Sequence, residues 1–125
     1  MIESWVIDDD GSVPSSSEAV VDTLRARIDS GQLETWLTSS SGRTEAFVTN
    51  TERAMVVLLE EEGDPGEHAV DPGAGGSSDG FALSHGQHDE YPNEDTVPIG
   101  EAFRLVEHIV GAGFWPADAR WVVDR

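Results

Sequence analysis

The stretch LETWLTSSSGRTEAFVTNTERAMVVLL, residues 33–59, decides the fold of this chain. It holds three runs rich in aliphatic, aromatic and β-branched residues, at 33–38, 45–49 and 54–59, which two short polar turns separate. The third run is the most apolar in the chain and predicts a central strand. Because short turns join the three runs, we expect an antiparallel meander.

Two segments outside this stretch have the apolar spacing of helices. The first covers about residues 17–30, after a serine cluster at 15–17 that supplies an N-cap, and Gly31 ends it. The second begins at Pro98 and stops at residues 111–113, which read Gly-Ala-Gly. The apolar faces consist of Ala19, Val20, Leu24 and Ile28 in the first helix and of Ala102, Leu105, Val106 and Ile109 in the second.

The rest of the chain predicts short strands and one loop. Further strands are expected at residues 4–7, 80–84 and 121–123, and residues 89–91 could pair back after a turn. Residues 60–79 are rich in Gly, Pro and Asp and predict a mobile loop, in which 67–70 could form a brief strand. The order of elements is then β-α-β-β-β-β-α-β. It indicates a single α+β domain over residues 1–125, with a largely antiparallel sheet of five to six strands and two packed helices.

The composition excludes several classes of function. The chain has 25 acidic residues against 7 basic ones, all of them arginine, which gives a formal net charge of −18. Such a surface repels nucleic acids and anionic membranes, whose phosphates attract cations. Cysteine is absent, so neither a disulfide nor a cysteine metal site can form. The charge itself suits three interpretations: solubility, a salt-rich cytoplasm, or a basic protein partner.

Neither a targeting segment nor a catalytic motif stands out. The N-terminal residues lack the basic start and apolar run of a secretory signal, so we expect a soluble cytoplasmic protein. His85 and His88 are the metal-ligand candidates, since imidazole suits zinc or iron if a turn brings both rings together. A polar hairpin tip is the alternative. The acids from Asp89 to Asp95 could form an acid–base pair, but a solvated acidic surface is the favoured interpretation. We predict neither an enzyme nor a cofactor.

The four tryptophans predict core positions and one surface anchor. Trp5 and Trp121 lie in predicted strands and are expected in the core, while Trp36 is expected to be half-buried on the sheet. Trp115 follows a glycine stop and could be an exposed aromatic anchor for a partner. Its alternative role is to cap the core, as loop tryptophans often do.

A block in the C-terminal third resembles a known family. It consists of GFALSHGQHDEY at residues 80–91, DTVP at 95–98, a helix with Glu101, Ala102 and His108, and then Gly113, Pro116 and Trp121. In order and spacing it resembles the first immunity-protein family of bacterial polymorphic toxin systems, over roughly residues 45–121. The glycine-rich insert at residues 73–76 departs from that family and lengthens a loop between strands.

The resemblance implies an α+β protein that binds and neutralises a cognate toxin, often a nucleic-acid deaminase or nuclease, and is not itself an enzyme. A toxin that acts on nucleic acid presents a basic surface, which an acidic inhibitor would occupy. We therefore expect partner contacts at the hairpin tip and at the approach to the second helix, together with the Trp115 anchor. The predicted contact residues are Asp89, Glu90, Tyr91, Glu94, Asp95 and Trp115. An exposed edge strand could also support a homodimer.

Two alternatives from other classes of protein remain open. The first is a non-enzymatic adaptor from a salt-adapted cytoplasm, in which the charge has no part in binding. The second is a small metal-dependent enzyme that uses His85 and His88. A toxin gene immediately upstream would favour the immunity protein, and metal analysis of the purified protein would decide on the enzyme.

Overall fold

The computed structural model describes residues 4–8, 11, 13–14, 16–61, 63–82 and 88–124. The helices in these ranges are α1 (Ser17–Asp29) and α2 (Ile99–Ala112). The strands are β1 (Trp5–Ile7), β2 (Glu34–Ser39), β3 (Thr44–Thr49), β4 (Arg53–Leu59), β5 (Glu67–Ala69), β6 (Ser77–Ala82), β7 (His88–Pro92), β8 (Val97–Pro98) and β9 (Trp121–Val123). A 3-10 turn, Asn93–Asp95, connects β7 to β8.

The main sheet is antiparallel and is built around the predicted meander. In the described residues its order is β1-β2-β3-β4-β5-β9, and β8 pairs with β4 beside this path. At its centre Thr35 lies opposite Phe47, which lies opposite Val56. The predicted α+β class, with a largely antiparallel sheet and two helices, is confirmed. The prediction of one sheet is wrong in one respect, because β6 and β7 form a separate two-stranded sheet.

Residues typical of helix ends stand at the start of α1 and at both ends of α2. Ser16, from the predicted serine cluster, accepts a hydrogen bond from the Ala19 amide at 3.1 Å, while Ser15 lies outside the described residues. Helix α2 begins after Pro98 and ends at Gly113 in the left-handed conformation. It therefore runs through Gly111, where a Cβ atom would lie 3.4 Å from the side chain of Ser17 in α1. No helix in the described parts of the chain is long and apolar enough to cross a membrane.

The core lies between the main sheet and the two helices. Phe47 of β3 stacks on Phe103 of α2, with ring centroids 5.7 Å apart. Side chains alternate along β4, so Val56 and Leu58 are buried in this core while Val57 belongs to the opposite face. The main core residues are Trp5, Ile7, Val20, Leu24, Leu37, Phe47, Val56, Leu58, Leu105, Val106 and Ile109.

Two predictions about the periphery change. The segment 60–79 is not one loop, because it contains β5, where a brief strand was expected, and the start of β6. Trp5 is buried as predicted, whereas Trp121 lies on an edge strand and is 41% exposed. Its prediction as a core residue is therefore wrong. Trp36 is 40% exposed on β2, which agrees with the half-buried position expected for it on the sheet.

One ionisable side chain lies inside the core. Glu45 of β3 is fully buried and is paired across the sheet with Leu37 on one side and Leu58 on the other. Neither of its carboxylate oxygens has a hydrogen-bond partner among the described residues. Burial raises the pKa of Glu45 well above its usual value, and the charge of nearby Arg43 lowers it by less. The group therefore keeps its proton at pH values where an exposed glutamate is charged.

Candidate binding surface

An arginine in the centre of the fold fixes the approach to the second helix. Arg53 of β4 donates from Nε to the Thr96 hydroxyl at 2.7 Å, and from Nη2 to the Asp71 carboxylate at 2.6 Å. Its Nη2 also lies 3.1 Å from the carbonyl of Thr96 and 3.2 Å from that of Asn93. One guanidinium thus connects β4, the segment before β6 and the 3-10 turn, and charge-assisted bonds of this kind are strong.

Asn93 connects the same turn to the hairpin β6–β7. Its side-chain amide donates to the carbonyl of Gly75 at 2.9 Å, and its backbone amide donates to that of Gly76 at 3.0 Å. Its side-chain oxygen accepts a hydrogen bond from the hydroxyl of Ser78. The hairpin and the turn are therefore held as one unit.

The acids of this unit form what we call the acidic ridge, defined as Asp89, Glu90, Glu94 and Asp95. Glu90 and Glu94 are exposed, whereas Asp89 and Asp95 are partly buried. Tyr91 stands among them and donates its hydroxyl to Asp89 at 2.9 Å. Burial, followed by the hydrogen bond to Asp89, raises the pKa of Tyr91 to about 12. Asp89 and Tyr91 therefore share one face of β7 and Asp95 lines the same cleft as Tyr91, whereas Glu90 points to the opposite face of the strand.

A cleft of about 280 Å³ lies beside the ridge and contains a histidine between two carboxylates. His68 of β5 places Nδ1 2.7 Å from Asp124 and Nε2 3.1 Å from Asp95. Burial lowers the pKa of His68, but the two hydrogen bonds and the two negative charges outweigh it and raise the pKa. Because both ring nitrogens face carboxylates, the ring is suited to hold them in place and not to accept a proton from a substrate. The cleft is lined by Met55, Val57, Pro65, His68, Tyr91, Asp95 and Asp124.

Most described arginines are engaged within the molecule. Arg43 pairs with Glu60, Arg53 with Asp71, and Arg104 with Glu101 and Asp118. Arg27 is buried and donates to the hydroxyl of Thr35. Since these cations are paired or buried, the excess of 25 acidic over 7 basic residues gives the surface a strongly negative potential.

Only one of the two predicted metal ligands lies in the part of the chain that the structure describes. Residues 85–87, which include His85, lie outside the described residues, and His88, expected in the same turn, lies exposed at the start of β7. Within the described ranges, no three His, Asp or Glu side chains are grouped so that they could hold a metal ion.

The sixth predicted contact residue, Trp115, lies away from the ridge. It is 5% exposed and donates its indole N–H to Glu67 at 2.8 Å. Its ring stacks on that of Trp121, with centroids 6.1 Å apart. The expectation of an exposed anchor at Trp115 is therefore wrong, and its alternative role as a cap on the core is confirmed. Trp121 is the more exposed ring of this pair.

Sequence reasoning missed Arg53, His68 and Asp124. Each belongs to the site through contacts between distant parts of the chain: 43 residues separate Arg53 from Thr96, and 56 separate His68 from Asp124. The only local signal of the site was a histidine, His68, within a short strand pattern. An ordinary surface histidine gives the same signal.

No protein-family model and no curated protein matches this chain. The resemblance to immunity proteins thus stays a prediction.

Proposed function

We propose that this chain is a non-enzymatic immunity protein, which binds and neutralises a basic protein toxin in the cytoplasm of the cell that makes it. The observation that carries this proposal is the acidic ridge. Glu90 and Glu94 are exposed on a segment that Arg53 and Asn93 hold in place. A surface that is already ordered binds with a smaller loss of conformational entropy than a mobile loop does.

The charge of the ridge suits a toxin that acts on nucleic acid. Such a toxin needs a basic surface to bind phosphate, and this surface attracts a protein with a net charge of −18 over long distances. Tyr91 adds an aromatic side chain among the carboxylates, and aromatic residues are frequent at the energetic centres of interfaces. By covering the basic surface, the ridge would exclude the nucleic acid without any chemical step.

The test compares two double variants with the same net charge. Glu90→Lys with Glu94→Lys reverses the ridge, and Asp22→Lys with Asp29→Lys reverses two exposed acids on α1. Each double variant moves the charge from −18 to −14. Using a partner captured by the wild-type chain from its native host, we expect calorimetric titration at low salt to show binding weakened at least ~10-fold by the ridge variant. The α1 variant should bind like the wild type.

Neutralisation is measured separately by co-expression of the captured toxin with each form. The wild-type chain and the α1 variant should restore growth, and the ridge variant should not. Equal affinity of both double variants would contradict a specific role of the ridge in binding. A captured partner without toxicity would contradict the proposal of an immunity protein.

A further inference from the structure

The outer edge of β9 has unpaired backbone groups. On its inner side, the Arg120 carbonyl accepts from the Val70 amide at 3.0 Å, and the Asp124 amide donates to Gly66 at 2.8 Å. Val122 lies opposite His68 between these bonds. Along an antiparallel strand, the N–H and C=O groups of successive residues point alternately to one neighbour and to the other. Since Arg120, Val122 and Asp124 face β5, the N–H and C=O groups of the two residues that alternate with them point outward. Those residues are Trp121 and Val123.

The side chains of β9 make this edge unusual. Trp121 and Val122 are each 41% exposed and Val123 is 50% exposed, so three consecutive apolar side chains face solvent. At the opposite edge of the sheet, β1 buries Trp5 and Ile7 in the core. Exposed apolar edge strands are templates for pairing with another strand, and proteins normally protect them with charges, prolines or bulges. Within the described residues no strand pairs with the outer edge of β9.

The sequence of β9 is complementary to itself in one orientation. We propose that β9 pairs antiparallel with β9 of a second copy of this chain, around a twofold axis at Val122. Trp121 then lies opposite Val123 of the second copy, and these two residues exchange both outward hydrogen bonds. By symmetry the pairing forms four backbone hydrogen bonds and joins the two main sheets into one.

The charged residues at the two ends of β9 favour the same arrangement. Arg120 and Asp124 are exposed and, being two residues before and after Val122, lie on the same face of the sheet. The antiparallel pairing places each Arg120 opposite Asp124 of the other copy, which is a favourable cross-strand pair. A parallel pairing would place like charges opposite each other. The local charges therefore select a second copy in the antiparallel orientation.

The net charge of −18 opposes this dimer and gives it a characteristic salt dependence. At about 0.15 M salt the Debye length is only about 8 Å, so repulsion between the two bodies is largely screened. Direct contacts across the paired strands are screened less. We therefore expect added salt to strengthen the dimer, whereas binding of a basic partner to the acidic ridge weakens with salt. This inference does not rest on the proposed function.

The experiment is sedimentation velocity of the purified full chain over a range of concentrations, at low and at moderate salt. The wild type should pass from monomer to dimer as its concentration rises. Val123→Pro removes an outward N–H and leaves the pairing of β9 with β5 intact, because the Val123 N–H points away from β5. The Val123→Pro variant should remain a monomer at every concentration, with the same circular dichroism spectrum as the wild type.

A charge variant with a matched control tests the register. Arg120→Asp places two acids opposite each other at both ends of the paired strands, and we expect it to raise the dimer dissociation constant at least ~10-fold. Arg25→Asp changes the net charge equally at an exposed position of α1, and at moderate salt, where the general repulsion is screened, it should weaken the dimer far less than Arg120→Asp. A wild type that stays monomeric at every concentration and salt overturns the proposal. A dimer that survives both Val123→Pro and Arg120→Asp overturns it too, since the interface must then lie elsewhere. No toxin takes part in this experiment, so neither outcome bears on the immunity function.

Discussion

Replacing Glu45 by methionine should stabilise this protein. Methionine has a similar length and volume, so it fills the same space between Leu37 and Leu58 without a cavity or a clash. The substitution removes two buried oxygens that have no hydrogen-bond partner among the described residues. Ordinary core substitutions destabilise, so a gain in stability would be a specific signature of this buried carboxyl group.

The magnitude follows from the cost of an unpaired buried polar group, about 1–3 kcal/mol. Near the melting temperature, a domain of this length shifts by about 4 °C for each kcal/mol. We therefore expect the Glu45→Met protein to melt about 4–12 °C above the wild type.

The gain should depend on pH, and its sign is fixed by the raised pKa of Glu45. In the unfolded chain the carboxyl group loses its proton around its usual pKa of 4.5, whereas in the folded protein it keeps the proton to higher pH. The stability due to this group is thus complete below pH 4.5 and is lost as the pH rises through the folded value. The difference between Glu45→Met and wild type should accordingly grow from about pH 5 to about pH 8.

Urea unfolding at both pH values measures this difference, with Glu45→Gln as the control. Glutamine has the same shape and remains polar, but it carries no titrating proton, so its stability should lack this pH-dependent component. A methionine variant less stable than the wild type at both pH values would refute the reasoning. So would a stability difference that does not change with pH, because the carboxylate would then be ionised and paired in the folded state.

Two further predictions concern the elements that hold the ridge. The pKa of His68, followed by NMR, should lie above its usual 6.5 in the wild type and fall in Asp124→Asn. The stability from this contact is present below pH 6.5 and is lost as the pH rises through the folded pKa of His68. An unshifted His68 titration would contradict this prediction. Arg53→Lys should lower the free energy of unfolding by about 2–4 kcal/mol, because an ammonium group cannot reproduce the planar fork that contacts Asp71 and Thr96. Amide exchange at Thr96 should accelerate in that variant, and unchanged exchange would show that Arg53 does not hold the turn.

The parts of the fold that could be predicted are those with a local period. The meander β2–β3–β4 and both helices follow from alternation and helical spacing in residues that are neighbours in sequence. The separate sheet formed by β6 and β7 could not be predicted, because a hairpin pattern does not say which sheet the hairpin joins. The exposure of Trp121 depends on β9 taking the edge position next to β5, and that is a property of the topology.

The candidate site shows the same division between local pattern and distant contact. Composition alone could not separate an acidic ridge from solvated loop acids, since 25 acidic residues produce clusters by number. Nor does composition show that Arg53 reaches Thr96 across 43 residues of sequence and holds the turn that carries Asp95. Asp95 in turn shares His68 with Asp124, the residue that ends the proposed dimer edge. One imidazole ring therefore connects the turn that carries Asp95 to the edge strand β9.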